Sequence, residues 1–170
     1  GNAFDGSQVG NIQFSANRFN HLNSAYYFDG NSYIRIPDND SLDFWPNQDF
    51  TIHFWIKTNN CVANKNRGVD LISKWDNRAN PSNYPYSVRC INGFIKGMKF
   101  AGAHPFPSVK SIISVDDGTY HSVSFVNDKN QLKLSINGKF ENINDYELKS
   151  EIQNDSDLFI GKRSITNTNN

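Results

Sequence analysis

The 170-residue sequence contains one methionine and only three glutamates, Glu141, Glu147 and Glu151, and alanine is sparse. The residues that favour helices are therefore thin, which argues against a helical bundle. No charge of one sign dominates: 17 Lys and Arg balance 17 Asp and Glu. That balance removes the electrostatic footprint expected of a nucleic-acid binder. No apolar run approaches the roughly 20 residues of a membrane span, and no basic amphipathic helix points to membrane insertion. The two cysteines, Cys61 and Cys90, are not in a CxxC pair, so a zinc knuckle is excluded, while a disulfide and two free thiols both fit. The four histidines (His21, His53, His104, His121) lack the close spacing of zinc ligands. No G-x-S-x-G elbow and no Gly-rich phosphate loop occurs.

What is present reads as strand. Phe, Tyr and Trp make up 14 % of the chain, and the dominant periodicity is two. Phe50, Ile52, Phe54 and Ile56 share one face of a predicted strand over 50–58. Leu132, Leu134 and Ile136 share a face opposite Lys133 and Ser135, and Asn137-Gly138 follows at once, the strongest short hairpin signal. His121, Val123 and Phe125 alternate with Ser122 and Ser124 after the turn Asp116-Asp117-Gly118. Further strands are predicted over 25–28, 33–36, 69–74, 86–90, 94–100 and 158–160, separated by Asp29-Gly30, Pro37-Asp38, Asn92-Gly93 and Gly161. About ten short strands without a long helix predict an all-β, two-sheet antiparallel sandwich. His53 and His121 fall inside strands, where packing or hydrogen bonding accounts for them. The polar stretches Asn59–Gly68, Asp76–Pro85 and Gly102–Pro107 are predicted loops of the length that carries function.

The order of segments resembles the laminin-G-like, concanavalin A-like jelly rolls. Residues 25–37 read A-Y-Y-F-D-G-N-S-Y-I-R-I-P, similar to the opening of that family, and 50–58 resemble its F-T-I-x-x-W-V-K-T strand. Leu71-Ile72-Ser73-Lys74 with Tyr86-Ser87-Val88, the run Asp117–Val123, Leu134–Lys139 and Phe159-Ile160-Gly161 follow in the family's order. Tyr120 stands where Trp is usual. The likeness covers about residues 22–163 and implies a jelly roll. Family members continue past the last element into one more strand. The resemblance therefore implies a single domain over 1–170, excised from a larger protein, whose missing strand comes from another chain or from the N-terminal segment.

Glycoside hydrolases of this architecture use an E-x-D-x-x-E pair of carboxylates, and none of the three glutamates fits it; a non-catalytic module is expected. Sugar recognition needs aromatic faces for C–H surfaces and planar polar groups for hydroxyls. Lys74, Trp75, Asp76, Asn77, Arg78, Tyr84 and Tyr86 supply that mixture around one predicted loop and are the candidate ligand-binding residues. Packing of Trp75 and Tyr86 in the core is the competing reading. Calcium is the candidate cofactor. Asp76-Asn77 resembles a calcium-ligating pair of the pentraxins, distant relatives in fold, although Lys162-Arg163 replace the later pentraxin acidic cluster. Asp29 is a further candidate ligand or simply a turn residue. Asp38–Asp43 reads as a metal cluster or as a turn with Asx hydrogen bonds. The expected partner is a glycan or cell-surface glycoprotein, together with other domains of a secreted or cell-surface parent protein. Protein–protein adhesion and a structural spacer in a multidomain extracellular enzyme are the alternatives.

Overall fold

A computed structural model describes residues 4–44, 48–61, 68–75, 85–102, 106–147 and 154–162. Turn chemistry cuts the sequence into short strands. The first are β1 (Ser7–Val9), β2 (Gln13–Ser15), β3 (Ala25–Tyr27) and β4 (Tyr33–Ile36); a 3-10 turn over Asp40–Leu42 then leads to β5 (Phe50–Lys57). Next come β6 (Val69–Ser73), β7 (Ser87–Ile91), β8 (Phe94–Met98), β9 (Ser108–Lys110), β10 (Tyr120–Asp128), β11 (Gln131–Ile136), β12 (Lys139–Asp145) and β13 (Leu158–Ile160). A seven-stranded sheet runs β1-β4-β13-β6-β7-β8-β9, a four-stranded sheet runs β12-β11-β10-β5, and β2 with β3 form a separate hairpin. Every pairing among the described strands is antiparallel.

The two larger sheets bury the stripes that the alternation marks. Val88, Cys90, Ile95 and Val109 of one sheet meet Val123, Phe125, Leu132, Leu134 and Ile136 of the other, all essentially without exposure. Ile52, Phe54 and Ile56 join this core only partly buried, because β5 has β10 on one side and no neighbour on the other among the described residues. Gly97 of β8 is where the sheets come closest: a Cβ there would lie 2.4 Å from the Phe125 ring. The β11–β12 turn has Asn137 at φ 53 and Gly138 at φ 73, the left-handed conformation those residues adopt most readily.

Cys61 and Cys90 form a disulfide, resolving the two readings the sequence permits. It ties the end of the segment after β5 to β7 in the core. β1, β2 and β9, which the periodicity does not mark, are three residues each, and β2 is exposed along its whole length.

Candidate recognition surface

Two of the proposed ligand-binding residues turn inward. Lys74 is 0 % exposed; its Nζ lies 2.6 Å from Asp38 Oδ1 and 2.7 Å from Asp43 Oδ1. It also donates to the Asn154 carbonyl at 2.9 Å and to Asn154 Oδ1 at 3.0 Å. Of the two readings of the acidic stretch Asp38–Asp43, the turn with an Asx hydrogen bond is present: Asn39 caps the 3-10 turn by accepting from the Ser41 N–H, while Asp38 and Asp43 pair with the Lys74 ammonium. Burial raises the Asp43 carboxyl above its ordinary value, and the Lys74 ammonium only partly opposes that rise. Tyr86, also expected at the ligand surface, is 2 % exposed and packs between Phe44 and Phe50, with ring centroids 5.3 and 5.5 Å away. Trp75 is half-buried against Met98 and Phe100. Asp76, Asn77, Arg78 and Tyr84 lie outside the described residues.

Asp29 is a turn residue. Its Oδ1 accepts from the Asn31 and Ser32 N–H groups at 2.9 and 2.8 Å and from the Ser32 hydroxyl at 2.8 Å. These bonds, led by the one from Asn31, lower its pKa. Among the described residues no group of three or more His, Cys, Asp or Glu gathers around it.

Other polar clusters also hold structure. Glu141 Oε2 accepts from the Ile112 and Ile113 N–H groups at 2.7 and 3.0 Å. His121 Nε2 faces Asp117 Oδ1 at 3.0 Å and the Thr119 hydroxyl at 3.2 Å, while Nδ1 takes the Asn137 amide at 3.0 Å. Asp and hydroxyl thus share one ring nitrogen, whereas a nucleophile–base–orienter chain needs them on opposite nitrogens. The Thr119 and His121 contacts pull the Asp117 carboxyl down to about 2.

The exposed chemistry gathers elsewhere, on the solvent face of the four-stranded sheet and the β2–β3 hairpin beside it. Cross-strand partners share a face. The register Lys57↔Tyr120, Trp55↔Ser122 and His53↔Ser124 therefore places Trp55, Lys57 and His53 together on the outside. His53 Nδ1 and the Ser124 hydroxyl are 2.8 Å apart. The hairpin is fastened there by the Tyr120 hydroxyl, which donates to the Ala16 carbonyl, and by Arg18, whose guanidinium lies 4.1 Å from the Trp55 ring centroid and 4.3 Å from that of Phe19. Phe14 and Tyr26 stack across the hairpin at 5.4 Å. Trp55 is 42 % exposed and Phe19 61 %, and Phe14, Tyr26 and Tyr27 are about half exposed. Single exposed apolar residues need no explanation, but several exposed rings on neighbouring elements, with polar groups between them, make this face a candidate interaction surface. Sequence reasoning did not find it: Arg18, Trp55 and Tyr120 are far apart in the chain, and Phe19 carries no periodic signal.

The fold has known counterparts. A laminin-G-type family model described as the concanavalin A-like lectin/glucanases superfamily matches residues 28–170. The chain belongs to this superfamily. Curated protein sequences give no match. Among solved structures, the binding domain of Paraclostridial Mosquitocidal Protein 1 is similar with a TM-score of 0.74 at 16 % identity, covering 92 % of this chain and 39 % of that one. Botulinum neurotoxin type C, whose cell entry depends on two ganglioside molecules, gives 0.69 at 19 % identity, covering 98 % and 40 %. The binding domain of botulinum neurotoxin DC in complex with SialylT gives 0.68 at 16 %, covering 92 % and 38 %. At these identities the likeness shows the shared jelly roll, and this superfamily member spans about two fifths of each of those chains.

Proposed function

We propose that the chain is a non-catalytic recognition module that binds a glycan at a cell surface, with the ring row of Trp55, Phe19, Phe14 and Tyr26 as its platform. The observation that carries this reading is the exposed Trp55–Arg18–Phe19 stack, set beside the hydroxyls of Ser122 and Ser124 and the imidazole of His53 on a rigid sheet. Aromatic faces cover sugar C–H surfaces and planar polar groups take the hydroxyls. The ganglioside and SialylT named for the similar toxin structures support a glycan as the class of ligand. The disulfide suits an oxidising, extracellular setting, because such bonds are rare in reducing compartments.

The loop after Trp75 is the second reading. Asp76, Asn77, Arg78 and Tyr84 bring the same types of group to the rim, and a calcium ion at Asp76-Asn77 belongs to that version. A glycan array with Trp55→Ala and Arg78→Ala/Tyr84→Ala separates the two. Loss of array binding with Trp55→Ala alone is expected; loss confined to the rim variant moves the site to that loop. An array on which the wild-type protein binds no glycan contradicts both and leaves protein adhesion. For calcium, calorimetric titration should show heat of binding that Asp76→Ala/Asn77→Ala removes; equal melting temperatures in calcium and in chelator, with no heat, contradict it.

A further inference from the structure

We infer that the ligand of this surface is an acidic carbohydrate, its carboxylate taken by the Arg18 guanidinium, a step that rests on the glycan reading above. The loop between β2 and β3 is built to hold Arg18 in place. Asn17 Oδ1 accepts from the Phe19 and His21 N–H groups at 2.9 and 3.1 Å, and the Asn17 N–H donates to the His21 carbonyl at 3.0 Å. The Asn20 N–H returns to the Asn17 carbonyl at 2.9 Å, with Asn20 at φ 62, a conformation Asn tolerates. The side chain is fixed as well: its planar group lies between the Phe19 and Trp55 rings, 4.3 and 4.1 Å from their centroids.

Ring faces attract the guanidinium but satisfy none of its in-plane N–H donors. Among the described residues no carboxylate pairs with Arg18 and no acceptor takes its hydrogen bonds. Five donors in a rigid, exposed fork match a planar carboxylate through two parallel hydrogen bonds, and the side chain loses little freedom on binding because it is already held. Lys57, two positions from Trp55 on the same face, is a second cation without an ion-pair partner among the described residues; its Nζ lies 5.7 Å from the Tyr120 ring centroid. The charge complement of this surface is therefore negative. A bare phosphate also satisfies the fork, yet it brings no C–H surface for the exposed rings. An acidic pyranose brings both.

The test is calorimetry on the intact chain with sialylated and uronic-acid oligosaccharides, their carboxyl-reduced counterparts and inorganic phosphate. The acidic forms of the sugars that bind should be tighter than the reduced forms by about tenfold or more, the range of a charge-assisted hydrogen-bonded pair. Arg18→Met should bring that ratio towards one, Arg18→Lys should restore only part of it, and Trp55→Ala should weaken both forms and, because its ring helps hold the guanidinium, lower the ratio as well. Arg18 is exposed but helps fasten the hairpin, so Tyr120→Phe, which removes the other fastening and leaves the guanidinium untouched, reports the effect of loosening the hairpin alone. A ratio near one in the wild type, a ratio unchanged by Arg18→Met, or phosphate binding as tightly as the acidic sugars overturns this inference while the glycan reading stands. Failure of every sugar to bind overturns both.

Discussion

Lys99 and Lys74 are both buried lysines, and their surroundings give them opposite consequences. Lys74 is enclosed by two carboxylates and Asn154. Among the described residues the Lys99 ammonium, 2 % exposed, has the Phe44 carbonyl at 3.4 Å and the Phe50 ring at 5.3 Å. Burial lowers its pKa to about 8 from 10.5. Between those values the unfolded chain binds the proton that the folded chain has released, so stability rises with pH across that window. The rise is bounded by about 3 kcal/mol, at about 1.4 kcal/mol per pKa unit. Tyr146, raised by burial to about 12, acts in the other direction above pH 10, where the unfolded chain ionises first. Urea unfolding at intervals from pH 7 to 10 should show stability increasing with pH. Lys99→Met should be more stable than wild type at pH 7 and lack the increase; a wild-type curve flat or falling from pH 8 to 10 contradicts the assignment. Neither lysine's burial is legible from its neighbours in sequence. Lys74 directly follows β6, where solvent exposure is the ordinary expectation, and its partners Asp43, Asp38 and Asn154 lie 31, 36 and 80 positions away.

Among the elements, legibility follows burial. β10 and β11 are buried on one face and wet on the other, so their alternation fixes which face is inside. β5 reads the same way although it is a lateral strand, with its inner residues only partly covered. β1, β2 and β9 contribute too few buried side chains to print a pattern, and tertiary pairing alone makes them strands. β8 shows the converse, a glycine whose reason is visible only in three dimensions. Gly97→Ala places a methyl against the Phe125 ring at 2.4 Å, and overpacking of this kind costs about 1–3 kcal/mol. Chemical denaturation should show that loss. Phe125→Leu in the same chain should recover part of it, since the ring is what the methyl meets; strict additivity of the two changes would contradict the contact.

For the molecule as a whole, the order of strand motifs is enough to place the chain in its superfamily, because those motifs are turns and core stripes that the jelly roll needs. The recognition surface is not so encoded. The proposed platform forms where the hairpin carrying Arg18 and Phe19 lies beside Trp55 of β5 and Tyr120 of β10, segments joined by long-range contacts. The rim expected from sequence shares its mixture of residue types but has Lys74 and Tyr86 turned into the interior. The three tryptophans stand at different places: Trp55 on the platform, Trp75 beside the rim loop, and Trp45 apart from both in sequence. The most direct measurement is therefore the indole N–H spectrum of the three tryptophans during titration with a glycan selected on the array. The platform account predicts that the Trp55 signal shifts progressively to saturation while Trp75 stays in place. A Trp75 shift with Trp55 unmoved would contradict it.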